Sequence, residues 1–149
     1  MGTGSNAALL RQVIEEVFNK AAWDELDRFY SPDYIQHNPA VPPGIDGMKG
    51  YFQTLYQAFP DWQGRIDHLL ADGDLVCAFI TWTGTQQGEF QGLPPTGRRV
   101  QLSTADLFRV ADGRLAEHWD VVDLLGMLRQ LGLGVAPEPA GTASSASNS

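Results

Sequence analysis

The chain has 149 residues, 43% hydrophobic and 19% charged, with ten Lys+Arg against eighteen Asp+Glu for a net charge of −8. That is one globular domain with an acidic surface, which excludes a binder of nucleic-acid backbone and a surface that seeks anionic lipid. No apolar run approaches the roughly 18 residues of a membrane span, and the N-terminus carries no basic-then-apolar leader. The single Cys77 excludes an internal disulfide and a cysteine-rich zinc site. A cytoplasmic protein with no nucleic-acid or membrane partner is expected.

Residues 1–6 read as a flexible start. Residues 135–149, rich in Ala, Pro, Ser and Thr, read as a disordered tail, leaving one domain over 7–134. Leu9, Leu10, Val13, Ile14, Val17 and Phe18 recur at helical spacing. A shorter helix is expected from Trp23 or Asp24 to Tyr30, ahead of Pro32. The Pro- and Gly-rich stretch 38–47 reads as a loop, and a third helix from Asp46 or Gly47 to Phe59 carries Met48, Tyr51, Phe52, Leu55 and Tyr56 on one side. Beyond Pro60 the period changes to two. Strands are expected near Arg65–Ala71, Asp74–Thr85, Val100–Val110 and Arg114–Val122, with turns at Asp72-Gly73 and Asp112-Gly113. A short helix, Leu124–Leu131, closes before Gly132. Helices followed by an antiparallel meander make an α+β domain, a curved sheet with helices on its concave side.

The last hairpin carries the chemistry. A type I turn with Gly113 in the left-handed bulge position pairs Asp106 with His118 and Thr104 with Asp120. All four then project from one sheet face, which otherwise carries Val100, Leu102, Phe108, Val110, Ala116 and Val122. Asp106 and Asp120 become a diagonal pair, about 7–8 Å apart at Cβ. Two carboxylates in an apolar surface favour a shared proton, which is equipment for general acid–base catalysis. A two-residue type I′ turn would instead shift the pairing by one. His118 reads equally as a hydrogen-bonded core histidine, and Asp123 reads better as the cap of the final helix than as a site residue. A charge at Asp106, between Leu102 and Phe108, is costly unless used or paired.

His37 and Asn38 precede the Pro-rich loop and either reach the mouth of the cup or cap the loop. Three scattered histidines make no metal-ligand spacing, and no glycine-rich phosphate loop or nucleophile elbow occurs. On the other sheet face, Leu107, Leu115, Trp119 and Val121 form an apolar patch that calls for cover, so a homodimer is expected.

The run Thr104-Ala105-Asp106-Leu107-Phe108-Arg109-Val110-Ala111-Asp112-Gly113-Arg114-Leu115-Ala116-Glu117-His118-Trp119-Asp120, with Leu128-Arg129-Gln130-Leu131-Gly132 after it, resembles the C-terminal half of SnoaL-like polyketide cyclases. So do Pro32-Asp33-Tyr34, the segment from Gly84 to Gly92, and Leu93-Pro94-Pro95-Thr96. The resemblance implies the cone-shaped NTF2-like α+β barrel, with N-terminal helices over the concave face of a curved antiparallel sheet. It implies an acid/base enzyme of aromatic polyketide, anthracycline-type antibiotic biosynthesis, with Asp120 as the catalytic acid/base of an intramolecular aldol closure. In those cyclases the position of Asp106 holds a His, and this departure favours a hydroxylase-like branch that tailors the ring with no metal or flavin of its own, beside a separate reductase. On that reading Asp120, Asp106 and His118 are catalytic, and Thr104, His37, Asn38, Phe108 and Tyr51 bind substrate. Aldol cyclisation remains an alternative, as does a non-catalytic ligand-binding or dimerisation module. An epoxide hydrolase, a further alternative, is disfavoured because Thr104 stands where those enzymes resemble one another in carrying Arg.

Overall fold

The computed structural model describes residues 3–133, so the tail expected at 135–149 lies outside the described residues. Helix α1 spans Thr3–Glu16. Within it Asn6 is buried, and its Nδ2 donates to the Gly73 carbonyl at 3.2 Å. Two 3₁₀ turns, Phe18–Lys20 and Trp23–Glu25, lead to a single-turn helix α2 (Leu26–Phe29). Strand β1 (Tyr30–Gln36) follows, then α3 (Gly44–Ala58), β2 (Gln63–Asp72), β3 (Leu75–Thr85), β4 (Arg99–Ala111), β5 (Arg114–Val122) and α4 (Leu124–Gln130). Among the described residues no helix is long and apolar enough to cross a membrane.

The sheet order is β1-β5-β4-β3-β2. β2 to β5 form the expected antiparallel meander, but β1 joins β5 in parallel, so the sheet is mixed. Strand β1 escapes the period-two reading because Pro32 lies within it and only Tyr30 and Tyr34 of its seven residues are buried. It is an edge strand, the place where proline is tolerated.

The inner sheet face supplies Val76, Ala78, Ile80 and Trp82 from β3, and Val100, Leu102, Phe108 and Val110 from β4. Against it pack Leu10, Val13 and Ile14 of α1, Val17 just after it, and Met48 of α3, forming one core. Phe18 presents its ring edge-on to Trp23, Phe52 and Trp82, with centroids 5.0–6.0 Å apart. Trp62 and Trp82 lie nearly parallel on the sheet, over two glycines. A Cβ on Gly84 would sit 2.5 Å from the Trp62 ring, and one on Gly64 2.6 Å from Trp82.

The β4–β5 hairpin departs from the expected register. Asp112 and Gly113 both have positive φ, 52° and 73°, the pattern of a two-residue type I′ turn. That turn pairs Val110 with Leu115, and a bulge then makes Arg109 pair with Glu117. Ala116 is the extra residue. It restores the parity lost at the turn, so from His118 onward the even-numbered side chains still face inward, as expected. The correction falls on the pairing: Asp106 opposes Asp120 directly, and His118 opposes Phe108. A second correction follows from the bulge. Leu115 is fully buried and does not belong to the outer patch, which keeps Leu107, Trp119 and Val121 and gains Leu70 and Phe79.

Candidate active site

The concave face closes over a cavity of about 280 Å³ lined by apolar and aromatic side chains, among them Tyr51, Phe52, Trp62, Trp82 and Leu102. Most of its polar groups enter from two places, with Tyr51 of α3 and Gln91 adding to them. The hairpin brings Thr104, Asp106, His118 and Asp120, and the end of β1 brings Gln36 and Asn38.

Direct opposition on neighbouring strands sets both carboxylates side by side, each largely buried, with side chains 14% and 12% exposed. His118, diagonal to Asp106, fills the space between them. Its Nε2 lies 2.8 Å from Asp106 Oδ1 and 3.9 Å from Asp120 Oδ2. The imidazole stacks on Phe108, with ring centroids 4.4 Å apart. Asp106 Oδ2 accepts from the Thr104 hydroxyl at 2.6 Å, and that hydroxyl accepts from Trp82 Nε1 at 3.0 Å. Asp120 Oδ2 accepts from Asn38 Nδ2 at 2.9 Å.

Donor and acceptor roles in this network are constrained. The Asn38 backbone N–H donates to Gln36 Oε1 at 3.0 Å, which identifies that atom as the oxygen. His118 Nδ1, 2.8 Å from the same oxygen, must then carry a proton. With Thr104 donating to Oδ2, the contact between His118 Nε2 and Asp106 Oδ1 also needs a proton, on either atom, since two lone pairs would otherwise face each other at 2.8 Å. Asp106 and His118 thus hold one proton between them beside Asp120, which Asn38 Nδ2 holds by a neutral hydrogen bond.

The phenols are held in their neutral form. Burial pushes the Tyr34 and Tyr51 hydroxyls above the usual tyrosine range, and the negative charge of Asp120 adds to this for both. Tyr51 therefore offers the cavity a neutral hydroxyl. Asp106, His118 and Asp120 each present an atom within 4.8 Å of the others, a set that could also hold a divalent cation in the place of the shared proton.

Of the residues expected at the site, Asp106, Asp120, His118, Thr104, Asn38 and Tyr51 line the cavity. Phe108 does not. It lies behind His118 and lines a smaller inner space of about 50 Å³. His37 is outside altogether: it stacks on Trp119 at 5.0 Å, and its Nε2 pairs with Glu117 Oε2 at 2.7 Å. Strand alternation explains this, since Gln36 pairs with His118 and faces inward, and the next residue must face out. The sequence reading missed Gln36 for the same reason that it missed β1. It also passed over Gln86, which is fully buried and ties Gly88, Leu93, Pro94 and Thr96 into the loop that carries Phe90 and Gln91 to the cavity. Asp123 is the cap of α4, its Oδ1 accepting from the Gly126 N–H. Gln130 clamps the β4 backbone, donating to the Gln101 carbonyl and accepting from its N–H.

Known proteins are similar to this chain in sequence and fold. A relative in Streptomyces nogalater, nogalonic acid methyl ester cyclase, is 34% identical over 121 residues, spanning 77% of this chain and 89% of that protein. Among solved structures, TsrD from Streptomyces laurentii is 35% identical with a TM-score of 0.80, covering 89% of this chain and 98% of its own. AclR from Streptomyces galilaeus, a candidate hydroxylase, is 30% identical with a TM-score of 0.80, covering 88% and 98%. The family model for the SnoaL-like polyketide cyclases matches residues 8–131, taking in every element from α1 to α4, and the chain belongs to that family.

Proposed function

We propose that the protein is a cofactor-independent acid/base enzyme that closes a ring in an aromatic polyketide of the anthracycline type by intramolecular aldol addition. The observation that carries this reading is the pairing of a proton-bearing Asp106–His118 couple with a separate carboxylate, Asp120, in one apolar cavity. Asp120 removes a proton from a carbon acidified by neighbouring carbonyls. The carbanion adds to a ketone of the same molecule, forming the C–C bond and breaking the C=O π bond. The oxygen takes the proton held between Asp106 and His118, and the proton on Asp120 returns to Nε2 across the 3.9 Å gap. Atoms and charge balance, and the product has the mass of the substrate.

The departure to Asp at position 106 favoured hydroxylation because an ionised carboxylate alone cannot stabilise an enolate oxygen. His118 lies against that carboxylate and supplies the missing donor, which shifts support towards cyclisation. Hydroxylation stays as the second reading on the likeness to AclR; it needs molecular oxygen and two electrons from a separate reductase, one oxygen atom entering the ring and the other leaving as water. Among the described residues no Arg or Lys lines the cavity, which further disfavours an epoxide hydrolase.

The test is incubation with an anthracycline keto-ester precursor in EDTA, with and without reductant and oxygen, followed by mass and NMR analysis. A new ring at unchanged mass supports cyclisation. A gain of one oxygen supports hydroxylation, and turnover restored only by a divalent cation assigns the Asp106–His118–Asp120 cluster to a metal. We further propose a homodimer through the outer sheet face, where Phe79 of β3 and Val121 of β5, 47% and 75% exposed, flank Ala105 of β4 in one cross-strand row. Sedimentation at micromolar concentration tests it, and a monomer would contradict it.

A further inference from the structure

Strand β1 and the residues just after it reach the site through Gln36 and Asn38, and Gln36 touches neither cavity carboxylate. Gln36 sits opposite His118 in the parallel β1–β5 pairing. Its amide is held at both ends. Nε2 donates to the Tyr34 hydroxyl at 2.9 Å, and Oε1 accepts the Asn38 backbone N–H at 3.0 Å. The second lone pair of Oε1 faces His118 Nδ1 at 2.8 Å. A backbone N–H cannot exchange roles, so this amide cannot flip without leaving that donor facing another donor. It offers His118 an acceptor and nothing else.

The geometry points to Gln36 as a positioning residue that fixes the tautomer of His118. With Nδ1 committed to carrying a proton, Nε2 is the nitrogen left to share one with Asp106 and to exchange it across the site. Without Gln36 nothing on the Nδ1 side enforces that choice. A neutral imidazole would then turn its one proton to Nε2 and donate it to an ionised Asp106, and that proton could leave only by making an imidazolate, so the pair would no longer serve as the acid. The same segment steers the other half of the site, since Asn38 holds Asp120 with its side chain and Gln36 with its backbone. The parallel edge strand, and not the hairpin that carries the acidic groups, therefore sets which atoms hold protons.

The effect on turnover rests on the acid/base reading proposed above, whereas the effect on the tautomer does not. The test is long-range proton–nitrogen correlation NMR of the folded full chain, with the His118 signals separated from those of the exposed His37 and His68 by substitution of each. Wild type is expected to show a protonated Nδ1 at His118. Gln36→Leu is expected to show a neutral ring with the proton on Nε2, and kcat reduced about tenfold or more with KM within about twofold. Gln36→Glu keeps an acceptor opposite Nδ1 and should retain the Nδ1–H signal. An unprotonated Nδ1 in wild type, or an unchanged Nδ1–H in folded Gln36→Leu, overturns the inference. If Gln36→Leu does not fold, the wild-type and Gln36→Glu spectra still decide. A shifted tautomer with unchanged turnover leaves Gln36 in its role and removes His118 from the chemistry instead.

Discussion

Replacing Asp106 by Leu tests the proton-bearing couple energetically. Asp106 accepts two hydrogen bonds, from Thr104 and within the His118 pair, at a side chain only 14% exposed. Losing a hydrogen bond to a charged group costs about 1.5–3 kcal/mol and a neutral one about 1, against roughly 1 kcal/mol returned by the apolar replacement. The net loss is about 1.5–3 kcal/mol. At about 2–4 °C per kcal/mol for a domain of this size, Tm should fall by about 3–12 °C. His118→Leu should cost a similar amount, but the double variant should cost clearly less than the two together, since neither member of the couple then leaves the other unpaired. Urea unfolding of the four proteins gives the coupling, expected at about 1–3 kcal/mol. Single replacements within 0.5 kcal/mol of wild type and additive in the pair would refute a buried, mutually dependent couple.

Gly84→Ala would drive a methyl to 2.5 Å from the Trp62 ring, and overpacking of this kind should cost about 1–3 kcal/mol in urea titration. All four tyrosines are held above the ordinary tyrosine range, chiefly by burial. Raised folded-state values mean that their contribution to stability is complete below about pH 10 and is lost as the pH rises beyond it. Absorbance at 295 nm should therefore rise together with alkaline unfolding, and ionisation of folded protein near pH 10 would contradict the burial. His37→Ala removes an outer-face contact to Glu117 and Trp119, so kcat/KM should stay within about twofold of wild type.

Composition and periodicity disclosed the α+β class, four of the five strands and the inward set Thr104, Asp106, His118 and Asp120. Alternation alone is enough for that, because it depends on parity and not on register. Register was not legible. The Asp112-Gly113 turn and the Ala116 bulge each shift the pairing, and a bulge leaves only a faint mark, the adjacent apolar pair Leu115-Ala116 that interrupts an alternating strand. Strand β1 was hidden by Pro32 and by its exposed middle residues, and with it went the inward placement of Gln36 and the outward placement of His37. The SnoaL-like resemblance rested on the hairpin and the Gln130-Leu131-Gly132 segment. The structure explains the second as a clamp between α4 and the backbone of β4.

The most direct measurement of the proposed chemistry is proton exchange at the acidic carbon of a keto-ester precursor in D2O, followed by NMR with wild type and with Asp120→Asn. Asn preserves an acceptor for Asn38 Nδ2, so the variant should remain folded. Wild type should place deuterium at that carbon, and Asp120→Asn should slow exchange by about 10²–10⁴-fold. Exchange at the wild-type rate in a folded Asp120→Asn variant would contradict the role of Asp120 as the base.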